Sequence, residues 1–199
     1  MAQHENDTDI KRLNVGCGRN IRPGWLNLDN SGLPGVDIRF DLEQCRTAQI
    51  PLPDSCIDEF LLSHVIEHIR DSMALMEELH RLAKPGARCV IHVPHGSSDD
   101  AWEDPTHVRP YFQNSFAYFS QPVFWRADYG YRGDWQPETV HLHVPAARFQ
   151  NMPHEQLIAL VAQSRNVVSE MVATLTAVKP ARQQRQELQK LPQVGIMLV

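Results

Sequence analysis

The chain has no cysteine pair at metal or redox spacing. Cys17, Cys45, Cys56 and Cys89 are scattered through its 199 residues, whereas zinc ribbons and dithiol redox sites need closely spaced thiols. No secretory pattern opens the sequence, so a reduced, cytoplasmic protein is expected. No apolar run approaches the ~18 residues that suggest a membrane span, and no membrane partner is expected. Positive charge is also short. Nineteen Lys and Arg against 24 Asp and Glu give a formal net charge of −5, which argues against an extended nucleic-acid surface, because such surfaces work by displacing counterions from phosphates.

What is present is enough apolar material for one core. At 42% hydrophobic and 22% charged residues, the chain can offset its conformational entropy by burial, and its length suits a single domain. The first ten residues, MAQHENDTDI, are polar and are expected to fray. Order starts near Lys11. Short apolar runs then alternate with helical patterns: LNVG at 13–16, WLNLD at 25–29, VDIRF at 36–40, IDEFLLS at 57–63 and ARCVIHV at 87–93. That alternation predicts an α/β fold with a parallel sheet.

Residues 65–83 carry apolar positions at helical spacing, and Lys84-Pro85-Gly86 stops the pattern. Asp71-Ser72 suggests that one helix ends near Arg70 and a longer one restarts. Residues 94–137 are rich in Pro, Gly, Asp and aromatics, too irregular for regular elements, and such a long insertion is more often functional than a linker. A strand at Thr139–Val144, a helix at Pro153–Ser164 and a long final strand at Val167–Val178 are expected next. The segment 181–199 reads as a tail: Arg182–Lys190 is charged and helix-prone with no identifiable partner, and Val194–Val199 is long enough only to dock on a surface.

The chemistry-bearing residues stand where strands end. Gly16-Cys17-Gly18 follows LNV, so backbone amides there can approach a ligand closely, or simply make a tight turn. Asp29 closes the next strand, placed to accept from vicinal ribose hydroxyls or to cap a turn with Asn30 and Ser31. Asp41-Leu42 follows the third strand and offers an acceptor for an exocyclic amine beside an apolar face, or a helix N-cap. Ser63-His64 lies at the carboxyl edge of the fourth.

In this order, LNVGCGRNIRPGWLNLD, VDIRFDLEQ, IPLPDSCIDEFLLSHVIEHI and LMEELHRLAKPGARCVIHVPH resemble the class I S-adenosylmethionine-dependent methyltransferases, in particular the type 11 subgroup, over residues 11–95. The resemblance implies a Rossmann-like three-layer sandwich with a mostly parallel seven-stranded sheet and an antiparallel final strand. It implies S-adenosylmethionine as cofactor, with S-adenosylhomocysteine as product. Gly16, Cys17 and Gly18 would lie along the methionine part, Asp29 on the ribose with Asn30 beside it, Asp41 and Leu42 on the adenine, and Ser63 and His64 beside the sulfonium. Asn14 replaces the acid that many members carry in the first motif and would meet the cofactor's ammonium through its amide oxygen. Only Arg19–Gly24 joins the first two strands, against ~12 or more residues for an ordinary parallel crossover, so the first helix is expected to be reduced to one turn or the second strand to start later than Trp25. This shortness disfavours a nicotinamide enzyme, whose fingerprint needs a third glycine opening a helix.

The expected activity is methyl transfer to a small-molecule or sugar-like acceptor. Two other classes remain in view: an inactive methyltransferase-like binding module whose aromatic insertion is an interaction surface, and a zinc protease, because His64-Val65-Ile66-Glu67-His68 matches HxxEH, with Glu77 or Glu78 as further ligand. A metal held by His92, His95, His141 and His143 is the lesser alternative, and no metal is assigned. If the acceptor must lose a proton, His107 is the candidate base, with His64 as the alternative, and Tyr111 would position the acceptor. His107 stabilising a turn and Tyr111 packing on the sheet are the structural counterparts of those roles.

Overall fold

The computed structural model describes residues 11–199; the expectation of a fraying N-terminus falls outside them. Eight strands form one sheet: β1 (Arg12–Val15), β2 (Leu26–Asp29), β3 (Ile38–Arg39), β4 (Ile57–Ser63), β5 (Ala83–Pro94), β6 (Trp135–Val144), β7 (Glu170–Ala177) and β8 (Gln193–Leu198). Their order across the sheet is β3-β2-β1-β4-β5-β7-β6-β8. Strands β1 to β5 pair in parallel, β7 runs antiparallel to both β5 and β6, and β8 pairs in parallel with β6. Helices α1 (Ser72–Leu82), α2 (Asp100–Glu103), α3 (Ala146–Phe149) and α4 (His154–Gln163) complete the regular structure. Among the described residues no helix is long and apolar enough to cross a membrane.

Helix α1 shows how sequence dictates an element here. Asp71 caps it by accepting from the Ala74 amide at 2.9 Å, supplying an acceptor where the first turn has none of its own. Leu75, Met76, Leu79 and Leu82 then recur at helical spacing and are fully buried. They pack in one cluster with Leu13, Val15, Phe60, Leu62, Cys89, Ile91 and Leu175 of the sheet. Tyr111, Phe116, Phe119, Phe124, Tyr131 and Trp135 of the insertion join the same cluster, so more than half of the insertion's aromatics are core. Trp102, Phe112, Tyr118 and Tyr129 are exposed.

Three expectations need correction. Among the described residues the sheet has eight strands, not seven; the strand expected at Val167–Val178 is β7 and is antiparallel as expected, but another strand follows it. The eighth comes from the segment read as a tail, where Val194 and Ile196 pair with β6 at Val140 and Leu142, covering an edge that would otherwise present open backbone groups. Second, Arg182 has partners after all: its guanidinium binds Asp134, Gln136 and Ser120. Third, of the two alternatives for the short crossover the one-turn helix fails and the later strand holds: no helix exists between β1 and β2, and β2 starts at Leu26. Side-chain amides hold this crossover in place of a helix's backbone bonds. Asn27 Oδ1 accepts from the Arg22 amide at 2.9 Å and from Asn14 Nδ2 at 3.0 Å, while its Nδ2 donates to the carbonyls of Arg22 and Trp25. Asp37 closes the network from β3's side, accepting from the Asn27 backbone amide at 2.7 Å.

Candidate active site

The carboxyl ends of β1, β2 and β4 enclose a cavity of about 290 Å³, near the lower end of the range for ligand pockets. Its floor is Gly16, at φ +62°, where an added Cβ would come within 2.7 Å of Val65 Cγ2. Only glycine satisfies both the left-handed backbone and that approach. Gly16→Ala is therefore expected to destabilise the chain by about 1–3 kcal/mol and to narrow the cavity. Adding Val65→Ala should recover part of the loss in a thermal melt, because it removes the clash but not the backbone strain.

Asp29 forms one wall. Its Oδ2 accepts from the Gly18 amide at 2.8 Å and its Oδ1 from the Ser31 amide at 2.9 Å. Partial burial pushes this carboxyl up, but the hydrogen bonds from Ser31, Gly18 and Asn30 together outweigh it and hold the group below the usual carboxylate range. It is an oriented anion with lone pairs to spare. Asn30 lies beside it in the same cavity. Across the cavity Asp41 caps a 3-10 turn at Leu42–Gln44 through Oδ1, which accepts from the Glu43 amide at 3.1 Å. Capping and cavity lining are thus not alternatives for Asp41. Phe40, Leu42, Val65 and Ile69 supply apolar surface between the two acids.

His64 stands on the third wall in the left-handed region, at φ +55°, uncommon for a residue with a side chain. The turn places its ring between two acids: Nε2 is 2.9 Å from Glu170 Oε1, and Nδ1 is 3.4 Å from Glu67 Oε1. The hydrogen bond to Glu170, and then the one to Glu67, push the imidazole up to about 10, so it is cationic at neutral pH and donates protons there. That disfavours a base role. Glu170 gathers two further histidines, His92 Nδ1 at 3.4 Å and His143 Nδ1 at 2.9 Å, and its carboxyl is held far below the usual range, first by His64 and then by His92. The four histidines considered together in the sequence therefore separate: His95 bonds Ser97 instead, and His141 lies against Gly195.

The protease reading fails on this geometry. HxxEH places both histidines on one running helix, but residues 66–68 form a single 3-10 turn, His64 precedes it with positive φ, and α1 starts only at Ser72. Glu78 is committed to Arg81 and to the Ile50 amide.

In the insertion, Tyr111 is 1% exposed and stacks on Phe116 with ring centroids 5.9 Å apart. Burial pushes its phenol up to about 12. This is the packing alternative for Tyr111. His107 lies against His68, with ring centroids 4.7 Å apart, and His68 lines the cavity. The insertion thus reaches the cavity's edge through His107 rather than Tyr111.

Residues 13–91 match the model of the family described as methyltransferase domain. Over that stretch the chain is similar to methyltransferase domains, and its sheet is that of a Rossmann-like methyltransferase fold. A Mycolicibacterium smegmatis protein named "Probable S-adenosylmethionine-dependent methyltransferase" is 26% identical over 114 residues, covering 49% of this chain and 44% of that protein. The match thus spans less than half of that relative's length. Among solved structures, a SAM-dependent methyltransferase from Archaeoglobus fulgidus superposes with a TM-score of 0.57 at 15% identity, covering 84% of this chain and 86% of its own. The (4+2)-cyclase SpnF superposes at 0.51 and 12% identity, covering 85% and 75%. At these identities the structures speak for the fold alone.

The similarity to methyltransferase domains supports S-adenosylmethionine as the cofactor, and the cavity's donors suit it: a glycine that a Cβ would crowd, an oriented anion at the tip of β2 and a second acid beside apolar side chains. Of the residues expected to bind it, Gly16, Asp29, Asn30, Asp41, Leu42 and His64 line the cavity. Cys17, Gly18 and Ser63 are not among the lining residues, and Asn14 is buried with both amide hydrogens spent on Asn20 and Asn27. Phe40, Val65, His68 and Ile69 line the cavity without having been singled out; each directly follows a strand or flanks the turn after β4, which was the available signal.

Proposed function

We propose that the methyltransferase domain transfers a methyl group to a small-molecule or sugar-like acceptor that enters from the side of the insertion. The observation that carries this reading is the cavity at the carboxyl ends of β1, β2 and β4, with Asp29, Asp41 and His64 all in its lining. The bound cofactor supplies an activated methyl group on a sulfonium.

The chain's own residues bind and align. Asp29 keeps lone pairs on both oxygens for two hydroxyl donors, and Asp41 keeps Oδ2 for an amine. Phe40, Leu42, Val65 and Ile69 exclude water from the nucleoside face. Glu170 fixes the His64 ring, whose charge it balances. With the donor already activated, alignment is the main requirement. A hydroxyl acceptor must also lose a proton, and His107 with Glu67 are the groups placed to influence it, beside His68 at the cavity's edge.

An assay that detects S-adenosylhomocysteine, run across sugars, small phenols and carboxylic acids with RNA and protein for comparison, tests the acceptor class. Turnover is expected with small molecules. Turnover confined to RNA or protein would contradict the proposal.

A further inference from the structure

We infer that Glu67, His68 and His107 form a site for a divalent transition-metal ion, zinc-like in its preferences, at the acceptor edge of the cavity. The ligand atoms of these three side chains lie within 4.8 Å of one another. Glu67 is 2% exposed; its Oε2 has no partner, and its Oε1 has only the His64 ring at 3.4 Å, a long contact for so buried a carboxylate. Nδ1 of His107 is likewise buried without a partner. Buried carboxylates and ring nitrogens are ordinarily satisfied, because leaving them unpaired costs free energy. The His64 ring, 3.4 Å from Glu67, is already bound to Glu170.

Two imidazoles and one carboxylate with a position left open make the donor set of catalytic zinc sites. Bonds of about 2.0–2.2 Å require the donors to close in slightly from their present spread, which rotation of the partly exposed His68 allows. The surroundings also set the tautomers. The Thr106 hydroxyl is 2.6 Å from Asp104 Oδ1 and 2.9 Å from His68 Nδ1. Its single proton goes to the carboxylate, so it accepts from His68 Nδ1–H and leaves Nε2 with a free lone pair. The other Asp104 oxygen lies 3.8 Å from His107 Nε2, which favours the proton there and leaves Nδ1 free. Asp104 thus backs His68 through the Thr106 hydroxyl and lies near His107, and such outer partners orient the rings of metal-ligating histidines. The cluster shares Glu67 and His68 with the HxxEH string but takes its third ligand from the insertion in place of His64.

Where this deepens the methyl-transfer reading, and so rests on it, the open position would hold an acceptor oxygen and lower the pKa of its hydroxyl. Metal binding itself stands independently. The test uses the full chain, stripped with a chelator, titrated calorimetrically with zinc chloride and, separately, with cobalt chloride followed by visible absorption. One zinc per chain is expected, with the intense visible bands of low-coordinate cobalt. Glu67→Gln and His107→Ala should each weaken zinc binding by about 10-fold or more, and His154→Ala on α4 should leave it unchanged. Circular dichroism confirms that the variants fold. Absence of zinc binding, or equal binding by the wild type and the Glu67→Gln/His107→Ala double variant, overturns the site. S-adenosylmethionine binding, measured on the same metal-free wild type, reports on the cofactor reading separately.

Discussion

Asp29→Ala should weaken S-adenosylmethionine binding by about 100-fold or more. The carboxylate is anionic, fixed by the Gly18 and Ser31 amides at 2.8 and 2.9 Å, and faces the cavity. Two hydroxyl hydrogen bonds to a charged acceptor contribute about 1.5–3 kcal/mol each, and every 1.4 kcal/mol is about tenfold in affinity. The fold should survive, because the two released amides are only part-buried and water can reach them. Asp29→Asn keeps the shape and one acceptor but removes the charge, so it should fall between wild type and Asp29→Ala. Calorimetric titration of the three proteins checks the order. Undiminished affinity in Asp29→Ala would remove the ribose assignment.

The largest stability effect is expected far from the cavity, at Asp134→Ala. Asp134 is fully buried and accepts from the Gln121 amide at 3.0 Å, from the Arg182 amide and Nε at 2.8 Å each, and from Arg182 Nη2 at 2.6 Å. Its partner anchors the segment that leads to β8. Removing one member of such a pair strands the other charge and costs about 3–5 kcal/mol, which in a chain of this size lowers Tm by roughly 10 °C. Arg182→Ala should have a similar effect, and the double variant should be much less destabilised than the sum of the two. Additive losses would show that the pair does not act as a unit.

The parts of the site legible in sequence are those carried by local order. A glycine after β1, an acid after β2, an acid after β3 and a histidine after β4 all sit at strand ends, and the alternation of apolar runs locates those ends. Features that depend on distant partners were not legible. Glu170 meets His64 across 106 residues, and nothing near either one signals it. Asn14 was read toward the ligand through its amide oxygen; that its amide nitrogen also donates to Asn27 and Asn20 in the helix-free crossover was not legible from its motif. Val194 to Leu198 looked like a docking tail because strand pairing with β6 is nonlocal. Glu67 was read as part of HxxEH, since a helix and a single 3-10 turn share the same four-residue string; only the turn buries its carboxylate facing His107.

Calorimetric titration of the wild-type chain with S-adenosylhomocysteine, alongside NAD as a dinucleotide control, tests most directly whether the Gly16, Asp29, Asp41 and His64 cavity is a methyl-donor site. Saturable binding of one S-adenosylhomocysteine per chain, lost in Asp29→Ala and not seen with NAD, is the predicted result. No binding of S-adenosylhomocysteine, or equal binding of NAD, would contradict it.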